Sequence, residues 1–336
     1  MNLTTRRQFI SRVSGTAACA LVGGTLGATP AVAEKKAQIA ITLDLEMARN
    51  FPKWEDTHWD YEKGNLNQAA KDYTVQACRR VRQRGGVIHT FVVGQVLEQV
   101  NVDWLQEIAR DGHSIGNHTY DHVYLLAKDA DEIQYRFQRA PWLMRGRAVA
   151  DVLRENIRLT NVALKERIGV EANGFRTPGG FAQGLAERED LQHMLLDLGF
   201  TWASCKYAAH AGIEDLHGTG RKPSQLALDA ILAAQVESQP FVYPTGLVEV
   251  PMSPISDIGA FRNGRWELVD FLNAIRSAGE LVIARRAAFD FLAHPSCLGV
   301  VDPQFKAIDL ICDLVEQSRG AAEIVSLDAI AKHGSK

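Results

Sequence analysis

Short segments rich in β-forming residues alternate with helical segments along most of the chain. Strands joined by helical connections form parallel βαβ units, because two parallel neighbours need a long crossover. Seven or eight such repeats favour a closed or nearly closed α/β barrel over an open sheet, in a single domain without an internal linker. Strands are predicted at 39–45, 87–93, 173–176, 200–204, 247–250, 288–293 and 323–326. A helical stretch is predicted from Thr74 to the glycine pair Gly85-Gly86, and helices at 104–110, 149–167, 191–198, 226–236, 266–277 and 305–317.

The N-terminal segment has the three parts of an export signal. Arg6 and Arg7 form a twin-arginine pair, a mildly apolar run follows at 15–27, and small residues at 31–33 suit a signal peptidase. The alternative is a chance arginine pair before a buried helix, but residues 1–33 contain no acidic residue. We therefore expect the twin-arginine export machinery as a partner, removal of 1–33, and a periplasmic or secreted protein.

The composition excludes several classes of protein. Lys plus Arg is 37 and Asp plus Glu is 40, so a net charge of −3 gives no basic excess for nucleic acid. No stretch approaches the about 18 apolar residues of a stable membrane span. Five cysteines without a CxxC pair exclude a zinc ribbon and a dense disulfide scaffold.

The first predicted strand ends in two acids. Asp44 and Glu46 are two residues apart, so in a strand they share one face, while Leu43 and Leu45 point to the opposite, packed face. Carboxyl ends of parallel strands are where barrel enzymes place their chemistry. The alternative is a solvated strand end with two acids of no function.

A histidine pair follows the second strand. His118 and His122 are four residues apart, so on a helical turn they share a face and can bind one metal ion. Two surface histidines are the alternative, but the preceding Gly-His-Ser-Ile-Gly-Asn sequence at 112–117 makes this pattern more specific. His113 within that sequence is predicted to be structural.

Two further strands end in residues that suit the same edge of the barrel. Arg176 stands before the turn Pro178-Gly179-Gly180, which can bring backbone close to a ligand, and a guanidinium can hold a carboxylate through two hydrogen bonds. His294 ends the strand at 288–293, and Asp290 is predicted to lie too far along that strand to touch it. An ordinary turn and a capped histidine are the alternatives.

These four motifs, in this order, resemble the polysaccharide deacetylase family, the NodB-homology carbohydrate esterases. The resemblance covers about 39–330 and makes 34–336 a catalytic domain. It implies a deformed (β/α) barrel of seven to eight parallel strands. It also implies a divalent-metal hydrolase that removes N- or O-linked acetyl groups from a carbohydrate, with an acetylated saccharide as substrate.

The resemblance also implies roles for the residues at the matching positions. Asp44 matches the general base, and His118 and His122 match metal ligands. The family has a second, metal-binding aspartate where this chain has Leu45, which cannot bind metal. Glu46, one residue on, is the substitute, giving an acid-x-acid variant of the motif.

Three further residues take roles by the same resemblance. Arg176 would hold the base Asp44 in place, His294 would be the general acid, and the backbone N–H of Gly179 would face the oxyanion. The family often has an Asp near 202–205 that tunes the acid histidine, and this chain has none.

Candidate substrate-binding residues lie outside these motifs. Asp257 is a weak candidate for the missing partner of His294, and Trp202 lines the acyl pocket or packs in the core. The aromatic and charged segment 51–61 supplies His58, Trp59 and Asp60, which could form one wall of a cleft. The alternative for that segment is a surface loop packed on its own aromatic residues.

Two histidines and one carboxylate suit zinc best, with cobalt, manganese, nickel or iron left open.

Three functions remain at this point. The first is deacetylation of a carbohydrate. The second is hydrolysis of non-peptide C–N bonds in small cyclic amides or ureides, favoured by the acid-x-acid motif. The third is a non-catalytic saccharide-binding relic, suggested by Leu45.

Overall fold

The computed structural model describes residues 35–46, 63–208 and 222–334, and the strands in these ranges form one sheet. From Lys35 onward the chain forms one compact unit. The predicted export signal and the segment 51–61 lie outside the described residues. The strands are β1 Ala37–Leu45, β2 Ile88–Val92, β3 Ser114–Asn117, β4 Gly174–Phe181, β5 Trp202–Lys206, β6 Phe241–Val242, β7 Val248–Glu249, β8 Ala288–Ala293 and β9 Ala322–Ile324.

The sheet runs in the order β6-β7-β5-β4-β3-β2-β1-β8, with β9 paired to the start of β1. Neighbouring strands are parallel except for the antiparallel pair β6 and β7. Just after β7, the backbone N–H of Ser253 donates to the carbonyl of Asp290 on β8 at 3.1 Å. This bond brings the two flanks of the curled sheet together. The predicted deformed barrel of mostly parallel strands is confirmed.

Helices connect the strands and cover the outside of the sheet. The first begins at the cap residue Asn67, whose side chain accepts from Ala70 N, and α5 ends at Gly169 with a left-handed backbone. None of the described helices is both long and apolar enough to span a membrane. They are α1 Gln68–Gln83, α2 Asp103–Arg110, α3 Ala130–Ile133, α4 Tyr135–Arg139, α5 Val149–Ile168, α6 Glu189–Asp197, α7 Gln225–Glu237, α8 Leu268–Arg285, α9 Pro295–Val301, α10 Lys306–Gln317 and α11 Leu327–Gly334.

The central strand β1 is buried on both faces, and its alternation separates core from site. Leu43 and Leu45 belong to the hydrophobic cluster that packs against the covering helices. Thr42 and Asp44 point to the other side, into the barrel. The predicted division of this strand into an apolar face and an acidic face is confirmed.

Aromatic side chains fill the barrel interior. The ring of Trp202 stands edge-on to Phe91 and His89, at centroid distances of 6.1 and 5.5 Å. Its indole N–H donates to Asp328 on α11 at 3.0 Å. Gly174 on the neighbouring strand has no room for a side chain, because a Cβ there would lie 1.8 Å from the Trp202 ring.

Candidate metal and catalytic site

A pocket of about 280 Å³ opens at the carboxyl ends of the strands. Such ends meet at one rim of a parallel barrel, so loops that are distant in sequence converge there. The pocket is lined by both acids of the first motif, both histidines of the second, both glycines of the third and the histidine of the fourth: Asp44, Glu46, His118, His122, Gly179, Gly180 and His294.

Glu46, His118 and His122 form a cluster of metal-binding side chains. One ligand atom from each lies within 4.8 Å of the other two. Nε2 of His118 is 3.1 Å from Oε2 of Glu46, and Nε2 of His122 also contacts this oxygen. Two imidazoles and one carboxylate oxygen aimed at one point are the donor set of a catalytic zinc site. The residues present therefore fit a divalent ion.

Hydrogen bonding fixes the tautomer of His118. Its Nδ1 lies 2.9 Å from the carbonyl oxygen of Arg176. Because a carbonyl can only accept, Nδ1 carries a proton, and Nε2 is the nitrogen that faces Glu46 and the cluster. Burial lowers the pKa of His122 to about 3, so this ring is neutral, the form that binds metal.

The prediction that His118 and His122 share a helical turn is wrong. Both lie in the loop that follows β3, and their ring centroids are 5.1 Å apart. Thr119 and His122 have φ values of 60° and 58°, a left-handed backbone that these residue types seldom adopt. The four-residue spacing brings the rings together through this tight loop and not through helical periodicity.

Buried amide side chains hold the histidine loop in its shape. Asn117 accepts from Thr119 N at 2.8 Å and donates to the Ile157 carbonyl at 2.8 Å. Asn156 on α5 accepts from Asp121 N at 2.7 Å and donates back to the Asp121 carboxylate at 3.3 Å. These bonds tie the loop to α5 just before His118 and again between the two histidines.

Glu46 also contacts a buried lysine that the sequence analysis missed. Nζ of Lys63 is 2.9 Å from Oε1 of Glu46, and both side chains are almost fully buried. Burial alone would raise the pKa of Glu46, but the contacts with the imidazoles and the Lys63 ammonium hold it well below its usual range. The sequence around Lys63 does not indicate this role, because only the fold brings Lys63 next to Glu46.

His294 has the buried carboxylate partner that the family's fourth motif would have supplied. Nδ1 of His294 is 2.8 Å from Oδ1 of Asp257, and the backbone N–H of His294 donates to Oδ2 at 2.7 Å. Burial lowers the pKa of His294, but Asp257 and Glu46 outweigh it and raise the pKa to about 10. Asp257 is fully buried and also accepts from Ile258 N. Its assignment as a substrate-binding residue is therefore wrong, whereas the weaker suggestion of a His294 partner matches the geometry.

Arg176 is paired with Asp290 and not, as predicted, with Asp44. Its Nη2 lies 2.6 Å from Oδ2 of Asp290 and 3.2 Å from Oγ1 of Thr42, whose hydroxyl donates to Oδ1 of Asp290 at 2.7 Å. The guanidinium also stacks on Phe91, 4.6 Å from the ring centroid. Asp44 instead has its Oδ2 3.8 Å from Nε2 of His118. Arg176 thus belongs to a buried network beneath the pocket.

The glycine turn of the third motif lines the pocket as predicted. Gly179 has a φ of 69°, which favours glycine. At Gly180 a Cβ would lie 2.4 Å from Cβ of Tyr207, so only glycine lets β4 approach that side chain. The role of the Gly179 N–H toward an oxyanion stays a prediction.

The remaining predicted residues lie elsewhere. Trp202 is in the barrel interior, at the end away from the pocket and near α11, so its assignment to the acyl pocket is wrong. His113 accepts from Ile88 N at 2.8 Å, which matches its predicted structural role. His58, Trp59 and Asp60 lie outside the described residues.

Comparison with protein families confirms the resemblance stated above. The model of the polysaccharide deacetylase family matches residues 59–196, which include both loop histidines and the Arg176 turn. The match covers less than half of the chain and shows that this part is similar to polysaccharide deacetylases. No curated protein sequence matches it.

Solved structures show the same fold at low sequence identity. A protein assigned as a polysaccharide deacetylase from Mycobacterium smegmatis is 16% identical, with a TM-score of 0.55, over 90% of this chain and 91% of that one. One from Pseudomonas aeruginosa PAO1 is 13% identical, with a TM-score of 0.57, over 88% and 90%. Puue allantoinase is also 13% identical, with a TM-score of 0.57, over 89% and 90%.

Proposed function

We propose that this protein is a metal-dependent deacetylase that removes N- or O-linked acetyl groups from an acetylated saccharide. The observation that carries the proposal is a single pocket that brings the Glu46, His118 and His122 cluster beside Asp44 and His294. A hydrolase of this type needs a group to activate water, a base and an acid. This pocket supplies a residue set for each.

Glu46, His118 and His122 would hold the divalent ion, with zinc as the first expectation. A bound divalent ion would supply Lewis-acid activation of water and of the substrate carbonyl. The neutral state of His122 suits this role, as does the orientation of His118, whose Nδ1 bonds the Arg176 carbonyl while its Nε2 faces the cluster. Since this donor set also accepts cobalt, manganese, nickel and iron, the metal must be identified by measurement.

The chain's own groups would move the protons. Asp44 lies at the pocket floor beside His118 and would take the proton of the attacking water. The N–H of Gly179, in the pocket wall, would donate to the oxygen that gains negative charge. His294, kept protonated by Asp257, would give its proton to the leaving amine or alkoxide.

The opposite wall of the pocket suits a small acyl group. Tyr207, Met252 and Leu292 present apolar surface close to the acids and histidines. A methyl group buried there would be stabilised by removal of its surface from water, at roughly 25 cal/mol per Å². An acetyl methyl group suits this apolar part of the lining.

A second candidate function is hydrolysis of small cyclic amides or ureides. The first motif has the acid-x-acid form, and Glu46 belongs to the cluster that could hold a metal ion. The fold of Puue allantoinase shows that the same barrel occurs in a protein of that name. The two functions would use the residues described above and would differ in which substrate can enter the pocket.

One assay panel separates the functions. Purified protein loaded with zinc is incubated with acetylated oligosaccharides, with O-acetylated sugars, and with cyclic amides and ureides, and acetate, ammonia and ring-opened product are measured. Acetate release that His118→Ala and His122→Ala abolish, together with loss of bound metal, supports the deacetylase. Ring opening instead supports the second candidate. Saccharide binding without either product indicates a non-catalytic relic.

We further propose that the protein works outside the cytoplasm. The support is the twin-arginine pattern of residues 1–33, followed by a domain that begins near Glu34. An exported enzyme with a pocket for acetyl groups meets polymeric saccharides of the cell surface rather than small metabolites. This location therefore favours the deacetylase over the ureide hydrolase.

A further inference from the structure

Lys63 has an unusual position for a lysine. Its side chain is only 1% exposed, and its Nζ lies 2.9 Å from Oε1 of Glu46 and 3.5 Å from Nε2 of His122. The next residue, Gly64, donates its N–H to the Glu46 carbonyl at 2.8 Å. Backbone and side chain together hold the ammonium against the proposed metal-binding carboxylate.

The two oxygens of Glu46 face different partners. Oε2 faces the two imidazoles, whereas Oε1 faces Lys63 and, at 3.4 Å, Nε2 of His294. A divalent ion held through Oε2 would therefore share its carboxylate with an ammonium. Like charges a few ångströms apart repel strongly when water is excluded.

Burying an ammonium is costly unless a partner compensates for the lost hydration. A lysine whose only task was packing could be replaced by an apolar side chain at no loss to the site. Here the ammonium of Lys63 lies against the carboxylate of Glu46, a member of the proposed metal cluster.

We propose that Lys63 is a built-in cation that competes with the divalent metal for Glu46. The inference rests on the metal site of the proposed function. It makes Lys63 a positioning residue that keeps the metal exchangeable. The competition also predicts that removal of the charge has opposite effects on the metal-free fold and on metal affinity.

The test compares Lys63→Met, Lys63→Gln, Lys63→Arg and the exposed control Lys128→Met with the unaltered full-length protein. Zinc dissociation constants are measured by competition with a chelating dye, and urea unfolding is measured in chelator. We expect both neutral variants to bind zinc roughly tenfold or more tightly, because a repulsive charge is gone. The same variants should unfold at lower urea without metal, since Glu46 then lacks its counter-ion. The variants Lys63→Arg and Lys128→Met should bind zinc and unfold like the unaltered protein.

Several results would contradict the proposed competition between Lys63 and the metal ion. Unchanged or weaker zinc binding in Lys63→Met and Lys63→Gln overturns the competition, because a purely structural lysine would lower stability and affinity together. If the neutral variants fold only with zinc, the ion has replaced the ammonium, as the proposal requires. Failure to fold even in zinc contradicts it. Absence of zinc binding by the unaltered protein refutes the metal site itself, which is a separate result.

Discussion

At the scale of single residues, Asp44 and Glu46 share one side of β1 but have different neighbours. Glu46 contacts both loop histidines and Lys63, whereas Asp44 lies at 3.8 Å from His118. Proximity to the imidazoles indicates a ligand, and a carboxylate next to the cluster but outside it suits a base. We therefore expect the two acids to have different roles.

Substitution of each acid by its amide distinguishes these roles. Glu46→Gln should lose metal and activity together, because an amide is a weak ligand. Asp44→Asn should keep the metal and lose roughly 10²–10⁴ in kcat, the usual contribution of a general base. Metal analysis beside kcat tests this, with the exposed Glu171→Gln as control. A metal-free Asp44→Asn beside a loaded, active Glu46→Gln would invert the assignment.

The pair of Asp257 and His294 predicts a pH effect. Because the aspartate raises the pKa of His294 to about 10, the ring is protonated at neutral pH and loses its proton only in alkali. Asp257→Asn removes the charge and lowers that pKa, so activity should fall at a lower pH than in the unaltered enzyme. The pH profile of kcat measures the shift.

A matched control separates this pH effect from a loss of stability. Asp302 is another buried aspartate, whose carboxylate accepts from Lys306 N and Ala307 N at the start of α10. Asp302→Asn should lower the free energy of unfolding and leave the alkaline limb of the pH profile in place. An unshifted limb in Asp257→Asn would show that this carboxylate does not control the acid.

At the scale of elements, the loop after β3 decides where the two histidines point. Its left-handed residues, Thr119 and His122, are held by amide side chains of β3 and α5. A loop of this kind keeps its shape only while the surrounding hydrogen bonds remain. The ligand geometry therefore depends on side chains that never reach the pocket.

Loss of the Asn156 bonds should weaken metal binding from a distance. Asn156→Leu leaves Asp121 N and its carboxylate without this partner, which we expect to reduce the free energy of unfolding by about 1–3 kcal/mol. Metal affinity should fall roughly 10- to 100-fold, as for other residues that support ligands. Zinc titration and urea unfolding measure both effects. Equal zinc affinity in Asn156→Leu and in the exposed control Asn101→Ala would refute this role.

Features that depend on residues close together in the sequence could be predicted. Alternation in β1 predicted which side of the strand carries Asp44 and Glu46, and strand ends predicted that the four motifs meet. Partners chosen across the fold could not be predicted. Asp290 lies 114 residues from Arg176, and Asp257 lies 37 residues from His294. The helical turn was a wrong inference because spacing alone does not distinguish a helix from a tight loop.

At the scale of the whole molecule, the two ends of the barrel have separate tasks. The pocket occupies the rim at the carboxyl ends of the strands, and α11 contacts the interior through Asp328 and Trp202. Asp328→Ala should therefore lower the free energy of unfolding by about 1–3 kcal/mol, because the indole N–H loses its acceptor. Activity per folded molecule should not change. Urea unfolding beside kcat tests this, and a fall in kcat at full folding would contradict the separation.

The proposed export signal predicts the location of the whole protein. Replacement of Arg6-Arg7 by Lys-Lys should retain the protein in the cytoplasm, because the paired arginines would be the feature that the export machinery recognises. Cell fractionation and the N-terminal sequence of the exported form measure this, with a start near Glu34 expected. Unchanged export of the lysine variant would reject the twin-arginine route.

The contact between Glu46 and the Lys63-Gly64 dipeptide has a consequence for the sequence between them. The residues that flank 47–62 are bonded to each other, because Glu46 contacts both Lys63 and Gly64. Closing a longer stretch between fixed ends costs only about 0.6 kcal/mol for each doubling of its length. A change in the length of this sequence would therefore leave Glu46 and Lys63 in contact.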